Sequence, residues 1–328
     1  MTASQLVHGV VLSGTGGVWQ VRTDAGETIE SSLRGRLKKS DSGKRADGSL
    51  RRDTVAAAAS SLKLAVGDDV HLEPGAHGAD WAIAEILPRR SKLARRAPGG
   101  GHGERVLAAN VDQVVVVFAI AKPEPHPRML DRFLVIAEAN DIAARIVVNK
   151  IDLASEAAAR ERFLAYERAG YPVHFTSTKT GKGLDAVRAM LSARRSVFTG
   201  PSGVGKSSLL NALFPGANLR VGAISESVNK GRHTTVGSLM LPLPDAEGGY
   251  VIDTPGLREI GVWELPSRSL DDCFPELRGL RDECRFADCR HVAEPDCAVR
   301  AAVDRGDLSD HRYDSYLRLR EEMESARV

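Results

Sequence analysis

A phosphate-binding loop is the strongest chemical pattern in the sequence. Residues 200–207 read Gly-Pro-Ser-Gly-Val-Gly-Lys-Ser and fit G-x-x-x-x-G-K-[ST]. A predicted strand (196–199) precedes the loop and a predicted helix (208–213) follows it, so backbone N–H groups would face an anion. Lys206 would then reach the β- and γ-phosphates, and Ser207 would hold Mg²⁺. The alternative is a glycine-rich turn before a helix, which this context disfavours. The residues assigned to phosphate are Gly200, Pro201, Ser202, Gly203, Val204, Gly205, Lys206, Ser207 and Ser208.

Two later segments fit the same chemistry. Asp253-Thr-Pro-Gly256 matches D-x-x-G after a predicted strand, which predicts Asp253 beside the Mg²⁺ shell and the Gly256 N–H at the γ-phosphate. Alone this motif is a plain turn, but beside a phosphate loop it favours a functional role. His233, Thr234 and Thr235 lie between the two motifs. A threonine there can close onto Mg²⁺ and release after hydrolysis, with Thr235 preferred; the alternative is a polar loop threonine.

A third motif predicts selection of the base. Residues 149–152 read Asn-Lys-Ile-Asp after a predicted strand (145–148) and fit N-K-x-D. The Asp152 carboxylate can accept from guanine N1–H and its amino group, and adenine would leave it unpaired, a mismatch that costs ~10⁴-fold in binding. The Lys150 stem could cover the base, whereas the alternative is an aspartate capping a helix. Residues 177–179 follow another predicted strand and could contact the guanine carbonyl. The residues assigned to the base are Asn149, Lys150, Ile151, Asp152, Ser177 and Thr178.

The order of these motifs predicts a circular permutation. In common GTPases N-K-x-D comes last, whereas here its first residue, Asn149, lies 51 positions before Gly200, the first residue of the phosphate loop. A permutation keeps every motif at the carboxyl edge of one sheet and moves only the termini, which compact domains tolerate. Strands alternate with helices from about residue 106 to 265, which predicts a doubly wound α/β domain.

The position after D-x-x-G bears on catalysis. Many GTPases carry a glutamine there that orients the attacking water, but here it is Leu257. Because leucine neither donates nor accepts, we expect slow intrinsic hydrolysis. His233 is the best internal candidate to position or deprotonate water, and the alternative is a solvent-facing loop histidine. The predicted catalytic set is His233, Lys206, Thr235 and Thr234.

The N-terminal part predicts a small β-barrel. Residues 1–95 carry short β-prone runs broken by turns, as in an OB-fold. Eight Lys/Arg lie in residues 34–52 and five in 89–96. These cations favour contact with RNA phosphates without sequence specificity, against the alternative of a solvated linker. We interpret residues 89–105 as a linker leaving the barrel, and Trp19 and Trp81 as core residues.

The four cysteines all lie in the last fifth of the chain. Cys284, Cys289, His291 and Cys297 offer three thiolates and an imidazole, a Cys₃His set that suits a closed tetrahedral structural Zn²⁺ without a catalytic role. The alternatives are scattered free thiols, or disulfides, which a reducing compartment disfavours. Cys273 falls outside this spacing and is interpreted as a partly buried free thiol.

Composition limits the class of protein. The 328 residues are 42% hydrophobic and 27% charged with a net charge of +2, which excludes collagen-like and mucin-like chains and argues against wholesale disorder. The longest apolar run, 114–121, is far short of the ~20 residues of a membrane helix, and no secretory signal is recognisable. We therefore expect a cytoplasmic protein with no membrane partner. Two competing classes remain: a P-loop ATPase or kinase, and an RNA-binding zinc protein with a structural nucleotide.

Taken together, these motifs resemble the RsgA (YjeQ) family of small-ribosomal-subunit biogenesis GTPases. The resemblance covers nearly the whole chain. It rests on NKID, GPSGVGKSS, RHTT and DTPG in permuted order, on AANVDQV at 108–114, on LDRFLV at 130–135, and on the Cys/His tail. The Lys/Arg/Gly-rich stretch at 38–53 departs from the family pattern as an insertion, which leaves the barrel–RNA contacts open.

The resemblance implies an architecture and a role. It implies an OB-fold at 1–95, a circularly permuted GTPase domain at 96–265 and a mostly helical zinc-binding domain at 266–328. It further implies GTP hydrolysis with Mg²⁺, one structural Zn²⁺, late maturation of the 30S subunit and stimulation of hydrolysis by that subunit. The expected partners are the 30S subunit and its 16S rRNA, bound by a monomer.

Overall fold

The computed structural model of the chain describes most of its length. The described ranges are 6–34, 63–75, 80–96, 104–215, 238–244, 247–254, 257 and 269–325. Several predicted site residues lie outside them, namely His233, Thr234, Thr235 and Gly256, together with most of the basic segment 34–52.

Five strands near the N-terminus close into a barrel. They are β1 (Val7–Thr15), β2 (Val18–Thr23), β3 (Thr28–Leu33), β4 (Asp69–Pro74) and β5 (Trp81–Ile86). Their order is β1-β2-β3-β5-β4; β1 pairs with β4 to complete the ring, and β3 and β5 form the parallel pair. Alternate residues such as Val11, Val21 and Ile83 fill the interior, and Trp19 and Trp81 pack against them half-buried. The predicted N-terminal barrel is confirmed.

A two-stranded antiparallel sheet follows the barrel, where a linker was predicted. It consists of β6 (Lys92–Arg96) and β7 (Glu104–Ala109). The linker prediction is therefore wrong for these residues. Leu93 and Ala108 are fully buried and join the core of the central domain. The basic and glycine-rich residues around them in the sequence give no sign of this burial. The sheet also crosses the predicted domain boundary after residue 95.

The central domain is built on a six-stranded sheet. Its strands are β8 (Gln113–Ala119), β9 (Ala143–Asn149), β10 (Val173–Phe175), β11 (Arg195–Thr199), β12 (Leu239–Pro242) and β13 (Tyr250–Asp253). The order is β10-β9-β8-β11-β13-β12, and every neighbouring pair is parallel except β12–β13. The carboxyl ends of β9, β10, β11 and β13 therefore share one edge, as the permuted α/β prediction requires.

Helices cover both faces of this sheet. They are α1 (Pro127–Ala139), α2 (Glu156–Arg168), α3 (Leu184–Leu191) and α4 (Lys206–Leu213). The β8 strand is buried throughout, with Val116 and Phe118 facing α1 and α2 and with Val115 and Val117 in the core that holds α3 and α4. The α4 helix begins two residues before its predicted start, because Gly205 turns the chain with a φ of +94°.

The C-terminal segment is helical and packs on the central domain. It contains a 3₁₀ turn (Asp271–Cys273), α5 (Pro275–Arg281), α6 (Ala298–Asp304) and α7 (Asp310–Ser325). The apolar side chains of α7 are buried to different degrees. Tyr316 is fully buried, and Tyr313, Leu317 and Met323 are partly buried against the core. Arg312 and Ser315 are also buried, which the apolar periodicity did not predict. No helix in the described ranges has the length and apolar character that a bilayer span needs.

One charged pair joins the barrel to the central sheet, and a second lies next to it on the barrel side. Arg89 donates to the fully buried Asp68 at 2.6 Å, and Arg195 at the start of β11 donates to Asp69 at 2.7 Å. Only 8% of the Arg89 side chain is exposed, so its assignment to RNA contact is wrong. This cation instead satisfies a buried carboxylate at the junction.

Candidate nucleotide-binding site

The phosphate loop leaves β11 through a glycine that no other residue can replace without strain. Gly200 has a φ of +133°, and a β-carbon there would lie 2.1 Å from the Val117 carbonyl oxygen. Gly205 closes the loop under a similar constraint, since its β-carbon would lie 2.6 Å from Asn149 Nδ2. The two glycines let the backbone fold tightly between β11 and α4, the arrangement that presents N–H groups to an anion.

Lys206 lies inside this loop. The residue is 7% exposed, and its Nζ donates to the carbonyl oxygens of Gly200 at 2.9 Å and Pro201 at 2.7 Å. By contrast, Ser202 and Gly203 are exposed at the tip of the loop. The buried ammonium is therefore held among oxygen acceptors at the place where a phosphate oxygen would bind.

The end of β13 provides the acidic side of the site. Asp253 is the last residue of the strand and is 8% exposed, and Thr254 after it is 5% exposed. The buried Thr254 hydroxyl has no hydrogen-bond partner in the described part of the chain. An orphaned buried hydroxyl beside a carboxylate is a reason to expect a hydrated ion or ligand nearby. Sequence reasoning did not single out Thr254.

The base-recognition loops meet through Asp152 and Ser177. The Ser177 hydroxyl donates to Asp152 Oδ1 at 2.6 Å and accepts from the Thr180 N–H at 3.2 Å. The hydrogen bond from Ser177 lowers the pKa of Asp152, and nearby lysines add to this effect. The carboxylate therefore stays ionised at neutral pH and is held in a fixed direction, as an acceptor for two guanine N–H groups must be.

Asn149 and Lys150 tie the base loops to the phosphate loop. Asn149 Nδ2 donates to the Val204 carbonyl at 3.0 Å. Lys150 adopts a left-handed backbone with a φ of +61°, and its Nζ donates to the carbonyls of Gly203, at 2.7 Å, and Lys122. The segment after β8, which holds Lys122, was not predicted to take part. The one distinctive feature of this segment in the sequence is the alternation of prolines at 123, 125 and 127.

The other residues singled out from the sequence differ in what the structure shows of them. Ile151 is half-buried and packs against the hydrophobic core, and its assignment to the nucleotide stays a prediction. Thr178 contributes its N–H, 3.4 Å from Asn149 Oδ1. Leu257 is 1% exposed in the core, where it has no access to an attacking water. The roles of His233, Thr234, Thr235 and Gly256 remain predictions, since these residues lie outside the described ranges.

A separate cluster in the C-terminal segment could hold a metal ion. The ligand atoms of Cys284, Cys289, His291 and Cys297 all lie within 4.8 Å of one another. His291 Nδ1 is 3.5 Å from the Cys284 sulfur and 3.4 Å from the Cys297 sulfur. Cys273 lies outside the cluster, where its thiol contacts the Ser269 carbonyl. The donor set and its compactness fit tetrahedral zinc.

Burial makes the cluster unsuited to uncompensated charge. Burial, with help from the neighbouring Cys297 and Cys284 thiols, raises the pKa of Cys289 to about 12, so thiolates here need a cation. Burial also lowers the pKa of the fully buried His291, which keeps the imidazole neutral and able to ligate. A residue of α7 holds the loop that carries His291, because the Tyr313 hydroxyl donates to the His291 carbonyl at 2.7 Å.

Comparison with known proteins agrees with this geometry. A relative from Gemmatimonas aurantiaca, named small ribosomal subunit biogenesis GTPase RsgA, is 56% identical over 96% of this chain and 97% of its own. A relative of the same name from Bacteroides fragilis is 35% identical over 98% of both chains.

Solved structures show the same architecture. YjeQ from Thermotoga maritima superposes with a TM-score of 0.72 at 33% identity, over 97% of this chain and 99% of its own. YloQ, described as a circularly permuted GTPase, gives a TM-score of 0.67 at 26% identity, over 98% of this chain and 96% of its own. The RsgA GTPase family matches residues 86–263, which hold every nucleotide motif described above. The chain belongs to the RsgA GTPase family and is a GTP hydrolase.

Proposed function

We propose that this GTPase binds the small (30S) ribosomal subunit and acts in its late maturation, with GTP hydrolysis that the subunit stimulates. The names of the relatives support the small subunit as the partner. The single structural observation that carries the nucleotide part is the joined set of loops at one sheet edge, where Lys150 bridges the base side and the phosphate side. We further propose that the protein works as a monomer in the cytoplasm.

The site residues take the following proposed roles. Asp152 and Ser177 select guanine, and the backbone of residues 200–208 holds the phosphates. Lys206 neutralises phosphate charge, while Ser207 and Asp253 hold Mg²⁺ directly or through water. The metal would offset charge that develops on the phosphates in the transition state.

The direct test is the GTPase rate with and without purified 30S subunits, with 50S subunits as the control. We expect a marked acceleration by 30S and none by 50S. Only binding to the 30S surface would bring the segments that carry His233–Thr235 and Asp253–Gly256 together over the nucleotide. Equal rates with 30S and without it, or equal stimulation by 50S, would contradict the proposal.

Contact with 16S rRNA is assigned to the basic part of the barrel. Arg89 is committed to Asp68, and Arg34 pairs with Glu73 at 2.8 Å. The other Lys/Arg residues of segment 34–52 remain the candidates for phosphate contacts. With few exposed aromatic rings for stacking on bases, we expect recognition through backbone and shape.

His233 is the proposed residue that positions the attacking water. We expect His233→Ala to retain GTP binding and 30S association but to lose most of the stimulated rate, because Leu257 cannot take over this role. Stopped-flow phosphate release in the presence of 30S measures it. His71→Ala, on the barrel, is the matched control. Full stimulation in the His233 variant would assign the catalytic group to the ribosome or to another residue.

The Cys/His cluster is proposed to hold one structural Zn²⁺. Metal analysis of the purified protein should find one equivalent, and Cys289→Ser should lose it because three ligands bind zinc much more weakly than four. Cys273→Ser, which alters a thiol outside the cluster, should keep the metal. Chelator should also speed proteolysis of the C-terminal segment, since metal binding is coupled to local folding. A metal-free protein with a protease-resistant C-terminal segment would exclude the zinc assignment.

A further inference from the structure

The helix α1 is held along its length by the C-terminal segment. Four ion pairs cross this boundary, three to α7 and one to α5. The pairs are Arg128–Asp314, Asp131–Arg312, Arg132–Glu322 and Glu138–Arg278. Three of them involve partly exposed side chains, which contribute little to stability individually. The pair formed by Asp131 and Arg312 differs, because both side chains are removed from solvent.

Arg312 occupies a cage of charges and rings. Its side chain is 1% exposed; its Nη1 donates to Asp131 at 2.5 Å and its Nε to Glu276 at 2.6 Å. The guanidinium carbon lies 4.6 Å from the Phe274 ring centre and 5.4 Å from that of Tyr166. The fork of the arginine thus fixes two carboxylates and two rings in one arrangement, which a single ammonium could not do.

Stability does not explain this cage well. Arg312 Nη2 and Glu276 Oε2 are buried without a hydrogen-bond partner among the described residues, whereas Asp131 lies beside the Tyr166 hydroxyl. A buried ion pair with unsatisfied atoms stabilises a fold no more than apolar residues of the same volume would, because desolvation offsets the attraction. What the cage provides is a defined geometry between the elements that it joins.

Those elements flank the N-K-x-D strand. Asp131 belongs to α1, which leads into β9, and Tyr166 belongs to α2, which begins four residues after Asp152. The Tyr171 ring lies 5.7 Å from the Arg312 guanidinium carbon, and Tyr171 stands two residues before β10, the strand that leads to Ser177. Arg312 therefore contacts both α2, the helix that follows the Asp152 loop, and Tyr171, which precedes the strand before the Ser177 loop.

The N-terminal end of α1 carries the connection to the site. The segment 120–126 runs from β8 into α1, and its Lys122 carbonyl accepts from Lys150. Arg162 of α2 donates to the Ile120 carbonyl at 3.3 Å and to Glu124 at 2.9 Å. A shift of α1 relative to α2 would therefore move the acceptor that holds the Lys150 ammonium.

We propose that Arg312 is a positioning residue for guanine-nucleotide recognition. It holds α1 and α2 at the spacing in which Lys150 and Asp152 meet the nucleotide, so the C-terminal segment sets the nucleotide affinity of the central domain. The inference rests on the proposed roles of Lys150 and Asp152. Arg312 touches no nucleotide and acts only through the two helices.

Two variants test the proposal. Truncating Arg312 alone would leave two buried carboxylates without their counter-charge, a change severe enough to unfold the protein. We therefore use the neutral triple variant Asp131→Asn/Glu276→Gln/Arg312→Met, and separately Arg312→Lys, which keeps the charge and loses the fork. Arg128→Met is the matched control, since Arg128 forms an exposed ion pair between the same two helices.

The readout is nucleotide affinity measured on folded protein. We expect the dissociation constants for GDP and GTP to rise roughly three- to tenfold in the triple variant and less in Arg312→Lys. KM for GTP should rise while kcat at saturating GTP stays unchanged, and Arg128→Met should bind as wild type does. A merely structural role would lower the unfolding temperature and leave both constants unchanged. A lower unfolding temperature with unchanged dissociation constants in the triple variant overturns the proposal. If the triple variant does not fold, the same result in Arg312→Lys overturns it.

The same assay separates the positioning role of Arg312 from the proposed role of Asp152 in binding the base. Asp152→Asn is measured in parallel. If it loses GTP while the Arg312 variants retain wild-type affinity, only the positioning role is wrong. If Asp152→Asn itself binds GTP as wild type does, the assignment of the base site is wrong.

Discussion

Replacing Asp152 with asparagine is expected to weaken GTP binding by ~10⁴-fold and to make xanthosine triphosphate the better ligand. The carboxylate accepts from two guanine N–H groups, and Ser177 holds it in the required direction. An asparagine amide presents a donor where guanine also presents one. Xanthine carries a carbonyl at that position, so the amide can donate to it.

Equilibrium titration with fluorescent guanosine and xanthosine nucleotides measures this reversal. Asp185→Asn is a suitable control, because Asp185 is an exposed aspartate on α3 that pairs with Arg188 one turn away. Unchanged GTP affinity in Asp152→Asn would contradict guanine selection by this residue. A preference of the wild-type protein for ATP would instead favour the ATPase or kinase class.

For Lys206→Ala we expect a loss of GTP turnover on the order of 10²–10³-fold with a folded protein. The Nζ of Lys206 donates to two carbonyls of its own loop, where a phosphate oxygen would bind, so we expect its charge to act on the phosphates. Single-turnover hydrolysis at saturating GTP measures the chemical step, and thermal unfolding checks the fold.

Lys182→Ala provides the matched control, since Lys182 is an exposed lysine that pairs with Glu156. Ser207→Ala should also lose hydrolysis, through loss of a Mg²⁺ ligand rather than of a charge. Wild-type hydrolysis in both the Lys206 and Ser207 variants would remove the phosphate loop from the mechanism.

Much of the nucleotide site could be predicted from the sequence because its parts are local. Each motif directly follows the strand that positions it, so a short window contains both the chemistry and its support. The permutation could be inferred as well, since parallel strands bring their carboxyl ends to one edge whatever the order of the chain. The contact of Lys150 with Lys122 could not be inferred from the sequence, because no local pattern indicates which loop lies beside another.

The parts that sequence reasoning missed depend on distant partners. The β6–β7 sheet reads as a linker until Leu93 and Ala108 are seen to enter the core of the next domain. Arg312 lies on a helix rich in polar residues, and its burial is explained by its ion pair with Asp131, 181 residues earlier. Periodicity assigns faces to helices, but it does not identify a charged residue whose counter-charge lies elsewhere.

The pairing of β8 with β11 has a consequence for the order in which this protein is made. Gln113 on β8 donates to Ser196 on β11, 83 residues further along the chain. During synthesis the base-recognition half emerges first, and the edge of β8 that later pairs with β11 stays open until residues 195–199 follow. An open apolar edge invites pairing with other chains, so this interval is the hazardous one for the nascent protein. A GTPase with the usual motif order makes its phosphate loop at the outset, whereas this chain acquires nucleotide binding only late in its translation.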